Sequence, residues 1–186
     1  MLSNKKTQVK VIKKGIKYIC ESEKIDRARE KLEVIINSDT FKEKVRNYIS
    51  YGKKQFIQNN GFSNEEVLQR LLEGSEILNK RIDYLWEVHL TIIKRPWYKR
   101  FSSVNGFTYP NTLEIKIYRD SFNSMSDAFL AAFMAHEQCH NLGFEHDFRR
   151  TARRPFSVPY AVGGIISKLI REVYWCFRKV KLINQG

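Results

Sequence analysis

Three of the four histidines in the chain lie close together in the sequence, at His136, His140 and His146. Side chains four positions apart on an α-helix lie on one face, one turn apart, so His136 and His140 can direct their imidazole nitrogens at a single ion. Gly143 has no Cβ and can adopt the left-handed conformation that ends a helix, which brings His146 back toward the first two. The spacing therefore predicts a metal site of three histidines, with one Zn²⁺ ion as the cofactor.

The chemistry expected of such a site follows from the number of its ligands. Three imidazoles leave one position of a tetrahedral zinc open, as in catalytic sites, whereas a fourth Cys or His usually closes a structural site. Cys139 is the nearby candidate for a fourth ligand, but it lies about 60° from His136 around the helix, and we expect it to pack in the core. Glu137 is predicted to be the general base, which takes a proton from metal-activated water and passes it to the leaving amine. The remaining histidine, His89, is predicted to be an ordinary packed or surface side chain.

The motif as a whole resembles that of a known protease clan. The matching residues are His136, Glu137, His140, Gly143 and His146, in the pattern HExxHxxGxxH of the metzincin metalloproteases. Within that clan the string HNLG followed by HD is similar to the adamalysin branch, which implies that Asp147 braces the turn below the metal. The resemblance covers about residues 84 to 180 and implies a zinc metallopeptidase.

The resemblance to metzincins also implies a fold. It is an α+β fold with a small mixed sheet that includes an edge strand, an active-site helix and a C-terminal helix, here preceded by N-terminal helices. In metzincins an extended substrate pairs its backbone with the edge strand, which precedes the active-site helix. Residues 113–119 (LEIKIYR) fit that place in the sequence.

The chain departs from the metzincin pattern after the third histidine. Val158 occupies the place of the methionine in the turn below the metal, and no Met follows Met134. Adamalysin-like disulfides and a secretion signal are missing, and the connection from His146 to Tyr160 is short. By analogy Tyr160 binds the metal or donates a hydrogen bond to the tetrahedral oxyanion. The alternative is that Tyr160 is an ordinary buried tyrosine.

Upstream of the motif, hydrophobic periodicity predicts mainly helices. Between residues 5 and 50 apolar positions recur at helical spacing, which predicts two or three amphipathic helices. Ser22 is the predicted N-cap of the first clear helix, and Ser38 or Asp39 that of the next, because their short side chains can accept hydrogen bonds from unpaired amide groups.

A further helix has clear boundaries in the sequence. Ser63 is its predicted N-cap, Glu66 completes a capping box, and Gly74 ends the helix. We expect residues 1–80 to form a helical N-terminal region packed on a metzincin-like core of residues 81–186, the two together making one compact domain.

The sequence around the histidine motif shows both strand-like and helix-like spacing of apolar residues. In residues 84–93 and 112–119 the side-chain pattern repeats every two residues, which predicts two strands. A strongly apolar helix is predicted to open at position 126 or 127 and to end at Gly143. A last helix is predicted from about position 160 or 163 to Lys179.

Composition narrows the class of protein. Lys and Arg outnumber Asp and Glu by 33 to 20, and the formal charge of +13 favours anionic partners, although it also simply promotes solubility. The three cysteines form an odd and sparse set, which indicates free thiols in a reducing compartment. We find no signal peptide and no apolar run long enough to span a membrane, so the expected location is cytoplasmic, with export by a route that leaves no such signal as the alternative.

Two basic clusters flank the predicted core, KRPWYKR at residues 94–100 and RRTARR at residues 149–154. The second cluster could attract acidic residues of a protein substrate or hold phosphates. The aromatic residues of the first cluster resemble a stacking platform for single-stranded nucleic acid, although this is not the favoured interpretation.

These features favour a zinc-dependent metalloendopeptidase that acts on a protein or peptide substrate, which could be acidic. Two alternatives stay open. One is a catalytically inactive, zinc-stapled binding module, which the missing methionine allows. The other is a nucleic-acid-associated protease recruited to its target by the basic surface.

Overall fold

The computed structural model describes residues 5–77, 80–101, 104–108 and 112–183, with side chains described as far as Val173. This part of the chain is an α+β fold with a four-stranded mixed sheet and six α-helices, as predicted for the fold class. The strands are β1 (Gln8–Lys14), β2 (Leu85–Ile93), β3 (Gly106–Thr108) and β4 (Glu114–Tyr118). The helices are α1 (Ile19–Ile36), α2 (Asp39–Arg46), α3 (Asn64–Glu73), α4 (Arg119–Ser124), α5 (Asp127–Asn141) and α6 (Val158–Ile183).

The sheet has the order β1-β2-β4-β3. β1 pairs in parallel with β2, and β2 with β4, whereas β3 pairs antiparallel with β4. Along β2 the buried residues Trp86, Val88, Leu90 and Ile92 alternate with partly exposed ones, as expected of a strand with one face on the core. α5, which carries His136 and His140, packs against α1 and α6 and contacts β2 and β3.

The prediction of helix for residues 8–14 is wrong, because they form strand β1. Val9 lies opposite Trp86 and Val11 opposite Val88 in the parallel pairing with β2. β-Branched side chains pack well on a pleated surface, and pairing with a distant strand here outweighs the local helical spacing. The N-terminal region therefore contributes a strand to the same sheet as β2, β3 and β4.

The prediction that residues 113–119 form the edge strand is also wrong. They contribute β4, which lies inside the sheet between β2 and β3. The edge strand next to β4 is β3, where Gly106 lies opposite Ile117 and Thr108 opposite Ile115. A strand of three residues is too short to show alternation, so its sequence does not distinguish it from a turn.

Two helix starts follow the predicted capping residues. The hydroxyl oxygen of Ser38 accepts a hydrogen bond from the backbone N–H of Phe41 at 3.2 Å, at the start of α2. Ser63 and Glu66 form the capping box of α3, and Gly74 follows its last residue in the left-handed conformation. These three boundaries are confirmed because each depends on residues that are neighbours in the sequence.

Two other helix starts differ from prediction. α1 begins one turn earlier than the predicted cap Ser22, after Tyr18. The carboxylate of Glu21 accepts a hydrogen bond from the backbone N–H of Lys17 at 2.7 Å, which satisfies an amide group at this end. α6 begins at Val158, before the predicted start at position 160 or 163.

α5 and α6 approach each other closely at Gly163. A Cβ at this position would lie 3.0 Å from the carbonyl oxygen of Ala132 and 3.6 Å from the Cβ of His136. The missing side chain therefore lets α6 lie against the histidine-bearing face of α5. Across the described residues, no helix combines the length and the apolar character needed to cross a membrane.

Candidate metal centre

The three histidines of the motif converge on one point. The ring centroids of His136 and His140 are 5.2 Å apart, those of His136 and His146 are 5.2 Å apart, and those of His140 and His146 are 4.9 Å apart. One ring nitrogen of each lies within 4.8 Å of those of the other two. Because Zn–N bonds are about 2.0–2.1 Å long, three nitrogens at this spacing are near enough to one another to hold a single ion.

The turn after α5 places the third histidine. Gly143 has a φ of +94°, and its backbone N–H donates a hydrogen bond to the carbonyl oxygen of His140 at 2.9 Å. Arg70, on α3, donates from Nε to the carbonyl oxygen of Leu142 at 2.5 Å. A cation suits the negative end of the helix dipole, so α3 stabilises the turn that leads to His146.

Each imidazole is hydrogen-bonded to a backbone carbonyl group of a neighbouring residue. The pairs are His140 Nδ1 with Phe144 at 2.8 Å, His146 Nδ1 with Asp147 at 3.1 Å, and the His136 ring with Pro159. A ring nitrogen that donates to a carbonyl carries the proton, which leaves the other nitrogen of that ring as a metal ligand.

Burial lowers the pKa of all three imidazoles. The pKa of His140 falls to about 4, and that of His136 falls well below its ordinary value, with the charges of the other two histidines adding to the effect. The pKa of His146 is also lowered, first by burial, and the charge of Arg154 contributes at each of the three. The neutral imidazole, which is the form that binds metal ions, therefore predominates near pH 7.

Glu137 lies beside the histidines with its carboxylate buried. Its Oε2 atom accepts a hydrogen bond from the hydroxyl of Thr108 at 2.7 Å. Burial raises the pKa of Glu137 to about 7, although the hydrogen bond from Thr108 acts in the opposite direction. A carboxyl group with a pKa near neutrality is suited to both accept and donate a proton.

Tyr160 and Val158 are at the start of α6. The ring centroid of Tyr160 lies 4.6 Å from that of His136 and 4.9 Å from that of His146. The residue is 36% exposed, so its ring lies against the histidines and also reaches solvent. Val158 is fully buried in the core.

Asp147 braces the loop that carries the third histidine. One carboxylate oxygen accepts a hydrogen bond from Gln58 Nε2 at 2.7 Å, and the backbone N–H of Asp147 donates to Gln58 Oε1 at 3.1 Å. The second carboxylate oxygen accepts a hydrogen bond from the hydroxyl of Thr151. Gln58 and Thr108 are site residues that the sequence does not reveal, because both are far from the motif in the chain and belong to no pattern of their own.

A second group of buried polar side chains on α5, apart from the histidines, also holds this helix in place. Gln138 Nε2 donates to the carboxylate of Glu76 at 2.7 Å, and Asn141 Nδ2 donates to Gln138 Oε1 at 3.0 Å. Burial raises the pKa of Glu76, and the hydrogen bonds from Gln138 and from the backbone of Glu87 only partly offset this rise. The network therefore ties the histidine helix to the segment that follows α3.

The other candidate ligands do not join the site. Cys139 is fully buried, which confirms that it packs in the core, and burial raises the pKa of its thiol above the ordinary value. His89 is a partly exposed residue of β2, outside the histidine cluster. Cys20 is an exposed free thiol, and the side chain of Cys176 lies outside the described residues.

A cleft with a volume of about 970 Å³ opens over the histidines. Its wall includes Glu137, Tyr160 and all three residues of β3. Arg150 and Arg154 of the second basic cluster line the same cleft, so this cluster contributes positive charge beside the histidines.

The first basic cluster has a partly structural role. The Nε of Arg95 lies 2.6 Å from the carboxylate of Asp120, and the guanidinium stacks on the ring of Tyr118. Trp97 and Phe101, in contrast, are 87% and 96% exposed.

Comparisons of the chain with protein-family models, with curated proteins and with solved structures gave no significant match.

Proposed function

We propose that the protein is a zinc-dependent metalloendopeptidase of the metzincin type. The observation that carries the proposal is the convergence of three imidazoles, each with a nitrogen within 4.8 Å of the other two, beside the buried carboxylate of Glu137. The donor set fits zinc, because imidazole nitrogen is among its preferred ligands and three such ligands leave a position open. His136, His140 and His146 would hold the ion.

The chemistry divides between the ion and the chain. When bound, zinc lowers the pKa of a water molecule and polarises the substrate carbonyl. Glu137 would accept a proton from the attacking water at its carboxylate and donate it to the nitrogen of the leaving amine, while the hydroxyl of Thr108 holds the carboxylate in place. Tyr160 donates a hydrogen bond to the developing oxyanion, a role supported by its partly exposed ring beside His136.

The substrate in this proposal is a protein or peptide bound in an extended conformation. β3 pairs with β4 on one side, and no other strand of the described residues pairs with it. Gly106, Phe107 and Thr108 all line the cleft over the histidines. An extended peptide can therefore add to β3 through its backbone, with one of its carbonyl groups close to the histidine cluster.

The test combines zinc content with cleavage of an unbiased peptide library. The wild type is expected to hold one zinc ion per chain and to cut, and Glu137→Gln to keep zinc but lose about 10²- to 10⁴-fold in rate. Glu145→Gln is the matched control, because Glu145 is an exposed carboxylate in the wall of the same cleft, and it should cleave like the wild type.

Two outcomes would contradict the proposal. Undiminished cleavage by Glu137→Gln would remove this residue from the mechanism. Zinc binding without cleavage of any peptide would instead indicate the inactive binding module, in which the ion serves folding and its removal by a chelator unfolds the protein.

A second candidate function is recruitment of the protease to nucleic acid. Trp97 and Phe101 are highly exposed beside Lys94, Lys99 and Arg100, a combination that suits stacked bases and phosphates. Binding to a single-stranded oligonucleotide should weaken steeply between about 50 and 200 mM salt, because phosphate contacts release counterions. Affinity that does not change with salt would exclude this function.

A further inference from the structure

Arg154 is a cation in the wall of the histidine cleft with no acidic partner. It begins the 3₁₀ turn Arg154–Phe156, between His146 and α6. The described residues include all 20 Asp and Glu side chains of the chain, and none forms an ion pair with Arg154. Its positive charge is therefore not neutralised within the protein, although it lies in a partly buried place.

The guanidinium group of Arg154 also has unused hydrogen-bonding capacity. Its Nε atom is buried and has no hydrogen-bond partner. Its Nη1 atom makes one contact, 3.4 Å from the carbonyl oxygen of Phe148, which is long for a hydrogen bond of this type. Because a guanidinium carries five N–H donors, most of them remain for a bound molecule.

The position of Arg154 relates it to the histidines through one aromatic ring. Its Cζ atom lies 4.8 Å from the centre of the Tyr160 ring, and that ring lies 4.6 Å from the ring of His136. The guanidinium is thus within about 10 Å of the His136 ring, a distance that an extended peptide spans in about three residues. Contact with the face of Tyr160 orients the guanidinium and leaves its N–H edge for bidentate hydrogen bonds.

We propose that Arg154 is a specificity-determining residue that binds a carboxylate of the substrate within about three residues of the scissile bond. The inference rests on the proposed function and names the substrate class as peptides with an acidic group near the cleavage site. The carboxylate can belong to an Asp or Glu side chain or to the C-terminus of the substrate, since both offer two oxygens to the guanidinium.

The first arm of the test measures binding without turnover. Zinc-loaded Glu137→Gln protein is titrated by calorimetry with peptides that differ only in Asp or Asn at one position, each with a free or an amidated C-terminus. The Asp peptide should bind about tenfold or more tightly than the Asn peptide, and adding Arg154→Gln should remove the difference. Arg154→Lys should keep part of it, because the charge remains without the planar fork.

The second arm measures cleavage of the same peptides by otherwise wild-type protein. Arg154→Gln should lower the ratio of kcat/KM for the Asp peptide to that for the Asn peptide to about one, and Arg154→Glu should prefer Lys. Arg171→Gln is the matched control, because Arg171 lines the same cleft but lies about 16 Å along α6 from Tyr160. It should keep the wild-type preference.

The outcomes separate this inference from the proposed function. A preference that survives amidation assigns the carboxylate to a side chain, and one that disappears on amidation assigns it to the substrate C-terminus. Equal binding and equal kcat/KM for Asp and Asn peptides would overturn the role of Arg154 while leaving the protease intact. If no peptide is cut at all, the proposed function fails and the binding arm alone decides on Arg154.

Thermal unfolding of each variant checks that it is folded, and Arg154→Lys replaces any variant that is not.

Discussion

The turn at Gly143 should control both the stability of the protein and its affinity for zinc. The substitution to test is Gly143→Ala, which adds one methyl group where the backbone φ is +94°. The added Cβ would lie 3.2 Å from Cγ1 of Ile77, a residue that is 47% exposed and whose side chain can move aside. The main effect is therefore the strain in the backbone.

The size of this effect follows from the conformation. An L-residue in the left-handed region costs about 1–2 kcal/mol. In a chain of this size, each 1 kcal/mol shifts the melting temperature by about 2–4 °C. We therefore expect the zinc-loaded variant to unfold about 2–8 °C below the zinc-loaded wild type.

The zinc-free protein shows where the strain is located. If the turn keeps its shape, the zinc-free variant is destabilised equally and its zinc affinity does not change. If the turn relaxes, His146 moves away, the zinc-free variant is as stable as the wild type, and zinc binding must restore the strained turn. Zinc should then bind about 5- to 30-fold more weakly, which corresponds to 1–2 kcal/mol.

Thermal unfolding with and without zinc, together with a zinc titration, measures both quantities. The control is Gly164→Ala in α6, where an added Cβ has no heavy atom within 4 Å. This second substitution should stabilise the protein by about 0.5–1 kcal/mol, because alanine is the better helix former. Equal melting temperatures for zinc-loaded wild type and zinc-loaded Gly143→Ala would refute the argument.

Three further predictions concern the same site and its support. Thr108→Val removes the hydroxyl that donates to Glu137 at 2.7 Å, so kcat/KM for a cleaved peptide should fall about tenfold or more, and Thr108→Ser should restore it. Burial raises the pKa of Glu76 in the folded state above its ordinary value of 4.5, so the folded state holds a proton there more tightly than the unfolded state does. The stabilisation due to this proton is complete below pH 4.5 and is lost as the pH rises through the folded-state pKa. Urea unfolding across this range should show that fall in the wild type and a flatter profile in Glu76→Gln; identical profiles would contradict it. Free zinc at about 100 times its Kd should stabilise the protein by about 2.7 kcal/mol, or about 5–10 °C, and a chelator or His146→Ala should abolish the shift in thermal unfolding.

Much of the site can be predicted from residues that are close together in the sequence. His136 and His140 lie on one face of α5 because of the helical repeat. His146 converges on them because Gly143, three residues after His140, ends the helix and turns the chain. The capping box of Ser63 and Glu66 and the alternation along β2 are equally local. Such features can be predicted because the interactions that produce them act over a few residues, whatever the rest of the chain does.

The surroundings of the histidines depend instead on residues that are far apart in the chain. Residues 8–14 are a strand because β2 pairs with them, and β4 is interior because the three residues of β3 cover its edge. The hydrogen bond from Thr108 to Glu137 and the contact of Arg154 with Tyr160 arise where β3, α5 and α6 meet. No local period or cap encodes these contacts, since each requires the packing of elements whose order in space the chain establishes only as it folds.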